Sequence, residues 1–159
     1  MTTPDTPFEI GKANVLWKPL PRTVLGNAEG RSLVKVAIFA TGPLVHHALL
    51  AARDLEQEGI VATVINIHTI KPIDRETIVR EAKAAGSVVT VEEHQIHGGL
   101  GGAIAEVLAA ESPTPVEFVG MRDEFGQSGE PQELISHYRM DAAGIIEAAK
   151  KVITKAASL

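Results

Sequence analysis

The sequence predicts an α/β domain with a mostly parallel sheet covered by helices on both faces, and three observations carry that prediction. From Val34 onward, short β-branched apolar runs alternate with segments of helical period. The runs are apolar throughout instead of alternating with polar residues, as strands buried on both faces are. The 159 residues, 45% apolar and 22% charged, suit one domain, because a chain of this size buries about 68–70% of the surface its unfolded form exposes.

Residues 1–33 are rich in proline, glycine and small polar residues and carry little period, so they read as a linker. Within it, "ANVLW" (13–17) can form one short strand at a sheet edge, given Pro19 and Pro21 just after it. The domain proper is expected over 34–159. "LVKVAIFA" is its first strand, stopped by Thr41-Gly42-Pro43. Val45, Ala48, Leu49, Ala52 and Leu55 then recur at helical spacing up to Gly59. "IVATVINI" is the next strand, and Asp74 can cap a helix from Arg75 to about Ala85 that ends at Gly86. "SVVTVEE" is a third buried strand, and Ile104, Val107 and Leu108 give the following helix its stripe. "VEFVGM" is the fourth. Pro131 suits the first turn of a short helix through Tyr138, and Asp141 can cap a final helix bearing Ile145, Ile146, Ala149, Val152 and Ile153.

Right-handed crossovers restrict such a chain to a few doubly wound orders. Ligands and partners of these sheets meet the loops at the carboxyl ends of the strands. Those loops here are Thr41-Gly42-Pro43, "HTIKPID" (68–74), "EEHQIHGGLGG" (92–102) and "RDEFGQSGE" (122–130).

Composition excludes several functions. A formal net charge of -5 argues against broad affinity for nucleic acid or an anionic membrane. Without cysteine there is neither a disulfide nor a thiolate metal site. The N-terminal "MTTPDTPFEI" lacks a basic flank followed by an apolar run, and no stretch reaches the ~18 apolar residues of a bilayer span. The cytoplasm is the default expectation.

The glycine run does not match a known phosphate cradle. Gly98, Gly99, Gly101 and Gly102 do not fit G-x-G-x-x-G, since Ile104 stands three after Gly101, and no Lys-Ser/Thr pair follows. The glycines read more simply as positive-φ positions and a close backbone approach at a helix start, with an anion or diphosphate site as the alternative. His94 and His97, beside Glu92 and Glu93, lack the further converging ligands that zinc requires. A carboxylate next to an imidazole can work as an acid/base pair, but no activated nucleophile accompanies it: Ser128 sits in "QSGE", not in G-x-S-x-G. His68 and Lys71 offer a cation to a substrate phosphate, or Lys71 is a solvated loop charge. Phe125 either docks into a partner or plugs its own core.

Four segments, "FEIGKANVL", "VAIFATG", "HTIKPID…GSVVTVEEHQIHGGLGGAIAEVL" and "DEFGQSGEPQELISHYRMDAAGII", together resemble the C-terminal domain of transketolase-like thiamine diphosphate enzymes, most closely the second subunit of split transketolases. The resemblance covers about Phe8 to the C-terminus, apart from an apparent insertion in "WKPLPRTVLGNAEGRSLVK". It implies a three-layer α/β/α domain with a five-stranded sheet of order 1-3-2-4-5, the first strand antiparallel. It also implies that the loops at Thr41-Gly42 and Glu92 to Gly102 are neighbours.

The function implied is two-carbon ketol transfer between sugar phosphates, with thiamine diphosphate and a divalent metal in the assembled enzyme. This chain has no Gly-Asp-Gly and begins where the family's second domain would end. The resemblance therefore implies no thiamine-binding or catalytic residue here and an inactive isolated chain. It implies assembly with thiamine-binding domains or an N-terminal subunit, through a homo- or hetero-oligomeric interface of the permanent kind, commonly above ~2,000 Å². Thr41, Gly42, His68, Lys71, Glu92, Glu93, His94, His97, Gly98, Gly99, Gly101 and Phe125 are the candidate interface or anion-contact residues. Where the family often has serine after Thr-Gly, this chain has Pro43, which removes a hydroxyl and an N–H from that loop. A non-enzymatic small-anion-binding or regulatory module of the same fold is the alternative.

Overall fold

The computed structural model describes residues 5, 6, 8–18 and 33–159. Most of the proline- and glycine-rich stretch expected to be a linker, and the apparent insertion within it, lie outside the described residues. Five strands form one sheet: β1 (Asn14–Trp17), β2 (Val34–Ala40), β3 (Ile60–Asn66), β4 (Val88–Gln95) and β5 (Val116–Met121). The order is β1-β3-β2-β4-β5, as the family resemblance implies, with β1 antiparallel to β3 and the other pairings parallel.

Period-2 alternation divides the core into two layers. Val36, Ile38, Ala62, Val64, Val89 and Val91 face one side, against helices α1 (Leu44–Gln57) and α5 (Ala142–Ala156). Ala37, Phe39, Ile65, Ile67 and Val88 face the other, against α2 (Arg75–Ala85) and α3 (Leu100–Glu111). The short α4 (Pro131–His137) adds Ile135 to the first layer. Since α1 and α3 leave adjacent strands toward opposite faces, the winding changes between β2 and β4. There the Thr41 N–H donates to the Val91 carbonyl at 3.1 Å, so the two strand-end loops start side by side.

Helix α2 ends as its sequence predicts. The Asp74 carboxylate accepts the Thr77 N–H at 3.0 Å, and Gly86 closes the helix at φ 76°. The same carboxylate also accepts the Ala13 N–H at 2.8 Å, and Glu81 of α2 pairs with Lys18 at 3.0 Å. Strand β1, only four residues long, is thus tied to α2 at both ends.

Burial of Asp74 favours its neutral form, but the Ala13 and Thr77 N–H groups, the Thr77 hydroxyl and nearby Lys12 outweigh that and hold its carboxyl below the usual aspartate range. A depressed folded pKa contributes stability in full above the unfolded value of about 3.9, and that contribution disappears as pH falls through the folded value. Asp74→Ala should lower stability at neutral pH by about 1–2 kcal/mol through the lost cap. Asp74→Asn, which keeps a capping oxygen, should lose less and show a shallower decline below about pH 4. Chemical denaturation at a series of pH values checks both.

Candidate functional site at the carboxyl edge

Strand β4 delivers the central feature. Val88, Thr90 and Glu92 point toward the α3 layer by alternation, and the pairing with β5 shifts register between Val91 and Gln95. Glu92 is 1% exposed. Its Oε2 accepts the Leu100 N–H at 2.7 Å and its Oε1 the Gly101 N–H at 2.8 Å. The start of α3 has no other side-chain cap, so this carboxylate satisfies two helix-start donors and sits at the positive end of the helix dipole.

The glycines make room for it. A Cβ at Gly99 would overlap Glu92 Oε2, and one at Gly101 would lie 2.6 Å from the Phe118 ring and 2.8 Å from Thr90 Oγ1. Gly98, at φ 79°, turns the chain into the helix. The arrangement is that of an anion site whose anion is the protein's own.

Glu93, His94, His97 and Gly98 are exposed, so the two adjacent glutamates separate completely: one closes the helix, the other faces solvent. His97 and Gly98 line a hollow of about 280 Å³ with Ile96, Gly102 and Phe118. Thr41, Gly42 and His68 line another cleft of about 510 Å³, together with Leu16, His46 and Asn66 among others. His68 Nε2 lies 3.1 Å from the Glu9 carbonyl, an acceptor only, so Nε2 carries the hydrogen. The His68 ring stacks at 4.5 Å on Phe8. Lys71 is exposed.

Phe125 is 101% exposed, which overturns the reading of it as a core plug. Its loop is nonetheless held in place. The Tyr138 hydroxyl accepts the Gln127 N–H at 2.9 Å and donates to the Phe125 carbonyl at 3.4 Å, while the Asp123 N–H donates to Gln95 at 2.8 Å.

The candidate residues therefore form one internal cluster of Glu92, Gly99 and Gly101, one cleft with Thr41, Gly42 and His68, one hollow with His97 and Gly98, and the separate exposed side chains of Lys71, Glu93, His94 and Phe125. Sequence reasoning missed Asn66 and His46 in the cleft and the hydroxyl of Tyr138. It also missed the inward turn of Glu92, although Glu92 stands two residues after Thr90 and four after Val88, on the strand face that α3 covers.

The chain matches the transketolase C-terminal domain family model over residues 29–145. It belongs to that family. It is 45% identical over 145 residues to the 6-deoxy-6-sulfo-D-fructose transketolase subunit of Clostridium sp. (strain MSTE9), covering 91% of this chain and 41% of that protein. It is 37% identical over 151 residues to a subunit of the apulose-4-phosphate transketolase of Phocaeicola vulgatus, covering 95% of this chain and 44% of that one. Among solved structures, a split-gene transketolase described as an inactive beta4 tetramer superposes with a TM-score of 0.83 at 42% identity, covering 96% of this chain and 46% of that one. The chain thus spans less than half the length of these relatives.

Thiamine diphosphate does not fit the residues at the α3 start. The donors that would hold its diphosphate are bonded to Glu92, whose charge would repel a second anion. Among the described residues, no group of three or more His, Asp or Glu side chains is placed to hold the accompanying metal. No helix among them is long and apolar enough to cross a membrane.

Glu92→Ala strands two buried N–H groups and should cost about 2–4 kcal/mol; Glu92→Gln, which presents an NH2 to one donor, should cost about 1–3 kcal/mol. Gly101→Ala should cost about 1–3 kcal/mol by overpacking against Phe118 and Thr90. Urea midpoints for the three variants check these values, and an Ala variant at position 92 as stable as the parent would contradict the assignment.

Proposed function

We propose that this chain is the C-terminal component of a transketolase and serves two-carbon ketol transfer between sugar phosphates by building the assembly, without binding thiamine diphosphate itself. The observation that carries this is the match of nearly the whole chain, at 45% identity over 91% of its residues, to less than half of a transketolase subunit. The carboxylate-filled helix start supports the division of labour, since the glycine-rich start of α3 on the carboxyl edge is closed by Glu92. In this reading residues 34–159 are the domain and residues 1–33 the connector that carries the edge strand. The partner is a thiamine-binding transketolase polypeptide, within a homo- or hetero-oligomer. On this reading the working compartment is the cytoplasm.

The isolated chain should have no ketol-transfer activity, and mixing it with the thiamine-binding transketolase polypeptide of the same genome should produce it. A coupled assay with ketose and aldose phosphates decides the matter. Turnover by the chain alone, or none from the mixture, would refute the proposal.

A second reading, a small-anion-binding or regulatory module, is favoured by the cleft of about 510 Å³ with Thr41, Asn66, His46 and His68 on its walls. On that reading a sugar phosphate at a hundredfold excess over its Kd should stabilise the chain by about 2.7 kcal/mol. A thermal-shift series with inorganic phosphate and sugar phosphates measures this, and flat melting curves would discard it.

A further inference from the structure

The large apolar side chains that the described residues leave exposed are not scattered evenly. Of the seven, Phe8, Ile10, Ile70 and Phe125 belong to one end of the sheet. Ile70 and Phe125 lie in the loops that follow β3 and β5. Phe8 and Ile10 reach the same end because the Gly11 N–H donates to Thr69 Oγ1 at 2.9 Å and Phe8 stacks on His68. Leu159, 92% exposed, lies at the opposite end, where Lys155 of its helix reaches Glu117 at the start of β5.

Two further observations bear on what covers this end. Strand β1 runs antiparallel, with Asn14 opposite Asn66 at the end of β3, so the segment from Phe8 to Ala13 enters the domain at the carboxyl edge. The relatives are more than twice as long as the stretch they share with this chain, and the matching family model is a C-terminal domain, so most of their remaining length precedes the shared part. In such a protein the connection to the neighbouring domain enters at this edge.

Phe125 is shaped as an anchor. An aromatic side chain wholly outside its own fold, on a loop whose backbone is fixed by Tyr138 and Gln95, loses little conformational freedom when it is buried by a partner.

We propose that the carboxyl edge, with Phe125 as its anchor and Phe8, Ile10 and Ile70 beside it, is the surface that docks onto the thiamine-binding transketolase polypeptide. This rests on the function proposed above and names the surface through which it operates. The partner must present an apolar pocket for one aromatic ring, next to a surface that meets the exposed Lys71, Glu93 and His94 at the rim.

The test compares the parent chain, Phe125→Asp and Leu159→Asp by calorimetric titration with the thiamine-binding polypeptide of the same genome. Because the Phe125 side chain is fully exposed, Phe125→Asp should keep the parent's melting temperature and circular dichroism. It should bind about 10- to 100-fold more weakly, while Leu159→Asp binds as the parent does. Hydrogen exchange on the complex should show new protection in residues 67–72 and 122–130. If the parent itself fails to bind, the proposed function falls and takes the inference with it. If the parent binds and Phe125→Asp binds equally well, or protection appears only elsewhere, the docking surface alone is wrong. Should Phe125→Asp abolish self-association of the chain yet leave the titration unchanged, the occupant is a second copy and the proposal is overturned.

Discussion

The bond between the Glu92 carboxylate and the first N–H groups of α3 is the constraint around which the carboxyl edge is organised. Burying a carboxylate is expensive unless its charge is offset and its oxygens are hydrogen-bonded. Here two charge-assisted hydrogen bonds and the helix dipole meet them. The consequences extend outward from that point. A carboxylate can sit under the helix only if Gly99 lacks a side chain, and the helix can lie close to the sheet only if Gly101 lacks one. The pairing of β4 with β5 shifts register between Val91 and Gln95, across the stretch that holds Glu92.

That interaction also takes the Leu100 and Gly101 N–H groups out of reach of a ligand. In open α/β sheets a helix start at the winding change commonly receives an anionic ligand. In this chain the seat is taken by an internal group, and the loops around it expose Ile70 and Phe125 alongside Lys71, His94 and His97. The docking role proposed for this edge rests on that arrangement, in a chain that spans less than half of its transketolase relatives.

Much of the fold was legible because it depends on local rules. Asp74 and Gly86 bracket α2, Pro131 opens α4 and Asp141 caps α5 by accepting the Gly144 N–H, all as residue chemistry requires. The strands declared themselves as apolar runs, but their spatial order came from family resemblance, since periodicity says nothing of which strand neighbours which. The site was less legible for a related reason. Glu92 and Glu93 are identical in sequence terms, and only alternation along β4 against a covering helix separates them. Phe125 could not be assigned from its type, because a loop aromatic is equally suited to folding back or standing out. What decides it is Tyr138, thirteen residues on, whose hydroxyl fixes the loop backbone with the ring outside.

The attachment of β1 has a mechanical meaning. Its two ends are held by Asp74 and Glu81 of α2, partners 61 and 63 residues away in sequence. The strand is consequently anchored to α2 as well as to β3. Tension applied at Phe8 meets the Gly11–Thr69 bond and then the Ala13–Asp74 bond before it reaches the ladder between β1 and β3.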